Sequence, residues 1–383
     1  MSTSTVARSL PTEEASDLLD LVGEIASREL APVVATFEEE GTFPREILRM
    51  LGRAGLLSLP YPEEFGGGGQ PYEVYLQVLE EIARAWLSVG ISVSVHALAS
   101  FPMAYAGTPE QQAEWLPMML SGETLGGYCL SEAQSGSDAA ALITRATPDG
   151  ADYVINGTKA WITHGGAADF YSVMVRTSDD GHRGISCVLV PAGTPGLGSA
   201  PPERKMGANA SRTAAVILDD VRVPQSQRIG PEGHGFPIAL AALDAGRLGI
   251  AACAVGLAQA ALDASVSYAR ERRQFGRAIA EFQGMQFLLA DMATQVAAAR
   301  ALYLDAARRK DAGQRFTREA AMAKLFATDA AMRVTTDAIQ VHGGYGYTRD
   351  FPVERYFREA KALQIVEGTN QVQRMVIGRD LTA

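Results

Sequence analysis

The period of the hydrophobic pattern changes twice along the chain. From residue 1 to about 125 the apolar positions recur at helical spacing, and Pro44 and Pro71 each open an amphipathic run at the first helical position. From about 126 to 235, short apolar runs alternate with turn residues, as in strands. Helical spacing returns from about 236. The pattern predicts an α+β, mainly α fold: an N-terminal helical domain (1–125), a middle β-domain (126–235) and a C-terminal helical bundle (236–383).

Capping signals and an apolar run define the main helices. Thr108, followed by proline and then by Gln111, predicts a capped helix start. Ile238–Arg270 is apolar nearly all round, which predicts a helix buried in a bundle or a subunit interface. Further helices are predicted over Phe282–Ala312, Thr317–Val341 and Thr369–Leu381, and Gly343-Gly344 is expected to cap the second of these.

The middle segment reads as a mostly antiparallel sheet. Asn156-Gly157 lies between two strand-like runs and predicts a hairpin turn, because this dipeptide suits the type I′ turn. FYSVMV, GISCVLV and AAVIL predict at least three more strands. None of them is followed by a long crossover helix, which parallel strands would require.

Composition excludes several classes of function. The 383 residues include 34 Lys and Arg against 44 Asp and Glu, a net charge of −10, so neither nucleic acid nor an anionic membrane surface is an expected partner. Three widely spaced cysteines and five histidines give no disulfide framework and no metal-ligand spacing. The first nine residues show no secretory signal, and the apolar stretch Leu248–Ala258 is shorter than the ~20 residues of a membrane span. We therefore expect a cytoplasmic protein with no integral membrane segment and no metal.

The β-domain contains two candidate binding segments. Tyr128–Asp138 (YCLSEAQSGSD) joins an apolar strand to a loop of small, hydroxyl and acidic residues, which is either a structural turn or a backbone surface for a polar ligand. Trp161 precedes Thr163 at the end of a strand. This ring is either a half-buried strand aromatic or a surface that packs on a planar cofactor, with the Thr163 hydroxyl bonded to its edge.

The C-terminal part contains two more candidates. Glu367 lies between apolar residues and a helix start capped by Thr369, so it is either a desolvated general base or a glutamate stabilised by the helix dipole. Arg272 and Arg273 precede an aromatic residue, and such a basic pair either holds a phosphate or ends a helix. No G-x-G-x-x-G follows a strand, so a Rossmann dinucleotide site is not predicted.

Taken together and in order, these segments resemble the acyl-CoA dehydrogenase family of flavoenzymes. YCLSEAQSGSD is similar to the first family signature, and RRQFG with FQGMQ at Phe282–Gln286 is similar to the helical FAD segment. Gln340–Lys361 followed by VEGTNQVQR resembles the second signature and the catalytic turn. KMGANASRTAAVILDDVRVP and GHGFPIALAALDAGR resemble the family's junction between β-domain and bundle. The resemblance runs nearly end to end.

The resemblance implies a three-domain fold with a C-terminal four-helix bundle, assembled as a tetramer of paired dimers. It implies FAD contacts around the isoalloxazine from Tyr128, Ser131, Trp161 and Thr163. FAD contacts within the subunit are implied for Thr369 and Gln371, and contacts across a dimer interface for Arg272, Gln274, Phe275, Gln283, Gln340, Gly343 and Gly344. Substrate contacts are implied for Ser137, Asp244, Arg247 and Gly368.

The implied chemistry is α,β-dehydrogenation of an acyl-CoA to a trans-2-enoyl-CoA, as in fatty-acid β-oxidation. Glu367 would remove the α-proton while a hydride passes to FAD, and an electron-transferring flavoprotein would take the electrons. Some family members carry the base just before the residue matching Arg247, but Gly246 occupies that position here and cannot act as a base.

Two departures from the family pattern leave the substrate range open. Val366 stands where some medium-chain members have tyrosine, and Asn209 stands where arginine is common. Two other functions stay open as well: a flavin-dependent oxidase of the same fold, and a non-catalytic acyl-CoA-binding homologue. The 383-residue length and the glutamate at 367 favour the dehydrogenase.

Overall fold

The computed structural model describes Val6 and residues 8–382, in which helices precede and follow one large β-sheet. The N-terminal helices are α1 (Glu13–Ile25), α2 (Val34–Glu40), α3 (Arg45–Arg53), α4 (Tyr72–Ala85), α5 (Leu87–Ala106) and α6 (Pro109–Leu120). The strands of the large sheet are β1 (Gly126–Cys129), β2 (Arg145–Asp149), β3 (Asp152–Thr163), β4 (Phe170–Arg176), β5 (Ile185–Pro191), β6 (Leu197–Ser199), β7 (Thr213–Pro224) and β8 (Arg228–Ile229). The C-terminal elements are α7 (Gly235–Glu271), a small hairpin of β9 (Arg273–Gln274) and β10 (Arg277–Ala278), α8 (Gln283–Asp311), α9 (Thr317–His342), α10 (Val353–Leu363) and α11 (Asn370–Thr382). The predicted mainly helical three-part fold is confirmed.

Local signals placed several helix ends correctly. Thr108 accepts a hydrogen bond from the Gln111 backbone N–H, and the Gln111 side chain returns one to the Thr108 backbone, which completes the predicted capping box. Gly343 caps α9 with a φ of 60°. Pro44 and Pro71 instead stand one position before the first helical residue. The sequence interpretation also missed α10 as a separate helix.

The sheet is mostly antiparallel, in the order β6-β7-β3-β2-β4-β5-β8. β1 and β2 both pair with β4 in parallel, and all other pairs in this sheet are antiparallel. Part of its side chains, such as Tyr171 and Val173 of β4, form a hydrophobic cluster of their own, whereas Phe170 and Met174 of the same strand belong to the large cluster that joins the two helical parts. The sheet therefore contributes to both hydrophobic clusters and connects the β-domain to the helical core.

The predicted hairpin turn at Asn156-Gly157 is wrong, because both residues lie inside β3. Asn156 pairs with β2 and Gly157 with β7, across a register irregularity between Ile155 and Gly157. Glycine is required there by close packing, since a Cβ would lie 2.4 Å from Thr144 Oγ1. The β2–β3 turn is instead made by Gly150 and the residue after it, and Gly150 has a φ of 61°.

Three long helices form the centre of the C-terminal part. α7 packs against α8 and α9, and also against α4 and α5 of the N-terminal part. The shorter α10 and α11 pack on α9. From Ala245 to Leu262 every residue of α7 is buried, as its apolar composition predicts.

Two described helices, Leu87–Ala106 and Gly235–Glu271, are long and apolar enough to cross a membrane. The shares of their most apolar windows buried inside the protein are 89% and 78%. The sequence interpretation expected no such helix, because it judged only the short run Leu248–Ala258. That expectation of length is wrong. Burial accounts for the composition of these two helices, because they pack against each other in the core.

A buried ion network ties α4 to α8 and to the N-terminal segment. The Glu80 carboxylate is fully buried and accepts hydrogen bonds from Arg300 Nε at 3.1 Å and Nη2 at 2.9 Å. Arg8 Nη2 lies 3.2 Å from the same carboxylate. Burial opposes ionisation of Glu80, but the two arginine charges prevail and lower its pKa.

Arg300→Met is expected to destabilise the protein by about 3 kcal/mol, because it leaves a buried carboxylate short of one cation. Urea unfolding at fixed protein concentration measures the change. Arg309→Met, which breaks the exposed pair with Asp305, is the matched control on the same helix and should leave the midpoint unchanged. Equal midpoints for the two variants would contradict the role assigned to the network.

Candidate active site

A cavity of about 220 Å³ opens between α4, α5 and α7. Its walls are mainly aromatic and aliphatic, with Tyr72 and Tyr75 from α4, Leu98 from α5 and Gly246 from α7. Lys310 Nζ lies over the Tyr72 ring, 4.4 Å from its centroid. An apolar cavity with few polar groups is typical of a site for an apolar ligand group.

Glu367 lies against the cavity wall at Gly246. A Cβ built on Gly246 would lie 2.1 Å from Glu367 Oε2, so any other residue there would force this carboxylate to move. Glu367 and Gly368 have φ values of 52° and 89°, and a left-handed conformation is uncommon for a glutamate. This turn between α10 and α11 directs the carboxylate at α7. Local strain of this kind clusters at functional sites, so the turn is a candidate for chemistry.

The Glu367 carboxylate is desolvated but not hydrogen-bonded. The residue as a whole is half-buried, yet both carboxylate oxygens are buried and have no hydrogen-bond partner among the described residues. Burial raises the pKa of Glu367 to about 7, while the charges of Lys324 and Arg247 act in the opposite direction. Of the two interpretations left open by the sequence, the structure favours the desolvated carboxylate over the helix-start glutamate. The helix itself is capped by Thr369 Oγ1, which accepts from Val372 N–H at 3.3 Å.

Two side chains that the sequence interpretation did not single out, Lys324 and Gln373, hold this turn. Lys324 on α9 donates to the Gly368 carbonyl and to Asn370 Oδ1, both at 2.9 Å. Gln373 Nε2 donates to the same Gly368 carbonyl at 2.8 Å. The sequence did contain a signal, because Lys324 falls in phase with small residues on the buried face of α9.

The β-domain residues predicted for a planar cofactor lie on neighbouring segments. The Ser131 carbonyl accepts from Ala160 N–H at 2.9 Å, which brings the loop after β1 beside Trp161. Trp161 is 64% exposed and has a φ of 62°, so the expectation of a half-buried strand aromatic is wrong. Burial raises the pKa of the Tyr128 hydroxyl well above its usual value, and the charges of Cys187 and Glu367 act in the same direction.

A buried ion pair that the sequence interpretation missed supports this loop. Glu132 accepts from Lys159 Nζ at 2.8 Å and from the backbone N–H groups of Ile143 and Thr144 at 2.8 and 3.0 Å. Burial works against ionisation, but the Lys159 charge and the hydrogen bonds lower the pKa of Glu132 to about 2. The sequence contained a signal for this pair, because Lys159 occupies an apolar position in the alternating pattern of its strand.

A second cleft, of about 540 Å³, is lined by several of the residues that are predicted to hold a cofactor across a dimer interface. Arg272, Gln274, Gly343 and Gly344 all line it. Phe275, which follows in sequence, is 93% exposed. Arg272 also ends α7, so the phosphate-binding and the helix-end interpretations of this residue are compatible.

The remaining predicted residues divide into two groups. Arg247 Nη1 donates to Asp244 Oδ1 at 2.6 Å, and Asp244 Oδ2 accepts from Thr317 Oγ1 at 2.6 Å, so this pair is assembled close to Glu367. The others are exposed and are not brought to the Glu367 cavity by any described contact; they are Ser137, Gln283, Gln340 and Gln371.

Comparison with known proteins shows which family this geometry belongs to. Profiles described as acyl-CoA dehydrogenase N-terminal, middle and C-terminal domains match residues 12–123, 127–221 and 233–382. An acyl-CoA dehydrogenase of Bacillus subtilis (strain 168) is 44% identical over 372 residues, which cover 97% of this chain and 98% of that protein. The chain belongs to the acyl-CoA dehydrogenase family. The resemblance read from the motifs is thereby confirmed, and the family's members are flavoprotein oxidoreductases.

Two solved structures of the same fold are similar over the whole chain. Butyryl-CoA dehydrogenase from Megasphaera elsdenii has a TM-score of 0.96 and 40% identity, covering 99% of this chain and 100% of that one. A chain from a structural study of the electron transferring flavoprotein of Acidaminococcus fermentans has a TM-score of 0.96 and 43% identity, covering 98% of this chain and 99% of that one. Within this acyl-CoA dehydrogenase fold, the Glu367 cavity is the candidate active site.

Gly246→Ala is expected to lower the rate of flavin reduction by an acyl-CoA about 100-fold, because the new methyl group displaces the Glu367 carboxylate by an ångström or more. Stopped-flow absorbance under anaerobic conditions measures the rate. Gly23→Ala in α1 is the matched control, since a Cβ there meets nothing within 4 Å. A normal rate in Gly246→Ala would show that the carboxylate does not need this position.

Proposed function

We propose that this protein is an FAD-dependent acyl-CoA dehydrogenase that acts on small acyl-CoA thioesters, with Glu367 as the general base. The main support for the proposal is a buried carboxylate that has no hydrogen-bond partner in the described part of the chain and lies beside an apolar cavity. Such a carboxylate is ready to accept a proton from a ligand that enters the cavity. Gly246, on the adjacent helix, offers no competing base.

The pKa of Glu367 suits proton abstraction near neutral pH. An α-proton of a thioester is only weakly acidic, so a carboxylate with an ordinary pKa near 4.3 is a poor base for it. Burial raises the pKa of Glu367 to about 7, which strengthens the base while leaving about half of it ionised at pH 7. The expulsion of water by the acyl group would strengthen the base further.

The residues that would hold FAD suit its chemistry. Trp161 presents a mostly exposed indole for stacking on a planar ring, with the Thr163 hydroxyl two residues away. Arg272 and the two glycines of the 540 Å³ cleft provide a cation and closely approachable backbone for a pyrophosphate. When bound, FAD supplies the acceptor for the hydride that leaves the β-carbon. The chain's own residues orient the thioester and take the α-proton at Glu367.

The cavity supports a small acyl group. Its volume is about 220 Å³. A cavity of ~150 Å³ holds benzene, so a short chain or a small ring fits here and a long chain does not. The similarity to butyryl-CoA dehydrogenase from Megasphaera elsdenii agrees with this size.

The proposed partners are further subunits of the same protein and an electron-transferring flavoprotein. The exposed Phe275 beside the second cleft supports a cofactor site completed by another subunit, within a dimer or a tetramer of paired dimers. The similarity to a chain from the Acidaminococcus fermentans flavoprotein study supports an electron-transferring flavoprotein as the electron acceptor.

The proposed function predicts anaerobic bleaching of the flavin by small acyl-CoA thioesters. Butyryl-CoA and a cyclic acyl-CoA of similar size should bleach at least tenfold faster than palmitoyl-CoA, because the longer chain exceeds the cavity. Absence of bleaching with every thioester would refute the proposed function. A preference for palmitoyl-CoA would refute only the size limit, and rapid recolouring in air would indicate an oxidase.

Glu367→Gln should fold and bind butyryl-CoA, yet reduce its flavin about 10²–10⁴-fold more slowly, the usual contribution of a general base. The amide keeps the shape of the side chain but cannot accept the proton at neutral pH. Single-turnover rates and titration calorimetry separate chemistry from binding. A variant that reduces its flavin within tenfold of the parent rate would assign the base to another group.

A further inference from the structure

Lys324 is a buried cation tied to the backbone of the Glu367 turn. Its side chain is fully buried on α9, and it packs among small residues of that helix. Nζ donates to the Gly368 carbonyl and to Asn370 Oδ1, both at 2.9 Å. The lysine therefore contacts the residues on both sides of Thr369, and a buried ammonium is retained only where such partners satisfy it.

The lysine belongs to a connected set of hydrogen bonds. The Asn370 side-chain amide donates to Thr328 Oγ1 at 2.9 Å and to Asp329 Oδ1 at 2.7 Å. Gln373 Nε2 donates to the Gly368 carbonyl at 2.8 Å, so this carbonyl accepts from one charged and one neutral donor. The strained turn is thus fixed to α9 from one side and to α11 from the other.

Few charges of the residues that the structure describes face the Glu367 carboxylate. Arg247 on α7 is one of two cations that influence it, but this guanidinium is paired with Asp244 at 2.6 Å. Lys324 is the other cation, and its two hydrogen-bond acceptors are neutral. Asp329 on α9 also faces Lys324. The further titratable groups that sense Glu367 are Tyr72 and Tyr75 on α4, Tyr128 on β1 and Cys253 on α7.

We propose that Lys324 is a positioning residue that fixes the Glu367–Gly368 turn and, through its charge, keeps the Glu367 carboxylate ionised for proton abstraction. This inference rests on the proposed function of Glu367. Its two parts are separable, because a hydrogen bond to the turn can be replaced by a neutral donor whereas the charge cannot.

The protonation states agree with this role. Burial lowers the pKa of Lys324 to about 8, although the Glu367 carboxylate opposes the shift. The ammonium is therefore mostly charged at pH 7. Burial raises the pKa of Glu367 to about 7. The charges of Lys324 and Arg247 limit this rise, and Lys324 has the larger effect. Loss of the Lys324 charge consequently raises the pKa of Glu367 further and reduces the ionised fraction at neutral pH.

Lys324→Met tests the proposal through the pH profile of flavin reduction by butyryl-CoA. In the parent the rate should rise with pH through about 7, as Glu367 ionises. In Lys324→Met this acid limb should move upward by about 1 pH unit or more, the usual effect of one nearby opposite charge. The rate at pH 7 should fall at least fivefold and recover partly at pH 9.

Gln373→Met is the matched control, because it removes the neutral donor to the same carbonyl. It should lower the rate at every pH without moving the acid limb. Equal movement of the limb in both variants would attribute it to a loosened turn and would overturn the electrostatic role. A limb that stays in place in Lys324→Met would overturn that role as well.

An infrared titration of the carboxyl band, with Glu367→Gln as the reference, adds a readout that needs no turnover. The parent Glu367 should titrate near pH 7, and Lys324→Met and Lys324→Gln should titrate higher. A parent carboxyl still protonated at pH 9 would overturn the proposal even if neither Lys324 variant folds. If no acyl-CoA reduces the parent flavin, the proposed function fails, whereas this titration still decides the role of Lys324.

Discussion

The arrangement of this molecule depends on the cost of burying a carboxylate. Glu367 is held beside an apolar cavity, and both of its carboxylate oxygens are desolvated and accept no hydrogen bond from Val6 or residues 8–382. An isolated buried carboxylate is strongly disfavoured and becomes protonated unless nearby charges compensate. The turn that carries it also adopts a left-handed conformation at Glu367 itself, which costs about 1–3 kcal/mol. Residues of the turn itself offset neither the desolvation of the carboxylate nor the backbone strain. Contacts from other parts of the fold therefore have to hold Glu367 in place.

Three separate helices hold Glu367 in place. α7 presents Gly246, where any side chain would collide with the carboxylate. α9 presents Lys324, and α11 presents Gln373, which together donate to the carbonyl that follows Glu367. The long buried helix α7 is itself fixed by α4, α5, α8 and α9. The apolar composition of α7 allows this helix to be packed on several sides. The packed backbone at Gly246 in turn limits where the carboxylate of the proposed base can lie.

The sequence predicted the parts of this arrangement that depend on local signals. The three-part division, the Thr108 capping box and the buried α7 follow from residues close together in the chain, and Glu367 follows from a contiguous motif. The turn between β2 and β3 was misplaced because the chain contains both an Asp-Gly and an Asn-Gly dipeptide, and only strand pairing decides between Gly150 and Gly157. Lys324 lies 43 positions before Glu367, and no spacing rule joins residues that meet only through helix packing.

Three glutamates with desolvated carboxylates, Glu132, Glu359 and Glu367, differ in how closely a cation approaches them. Glu132 forms a direct ion pair with Lys159 at 2.8 Å and has its pKa lowered to about 2. Glu359 has only a longer contact with Arg355, at 3.5 Å, and burial raises its pKa to about 8. A direct ion pair would lower the pKa of Glu367 and weaken the proposed base, whereas loss of Lys324 and Arg247 would let burial raise its pKa further. Lys324, held by oxygens of Gly368 and Asn370, and Arg247 together oppose the effect of burial, and the pKa of Glu367 is about 7, which suits the proposed proton abstraction near neutral pH.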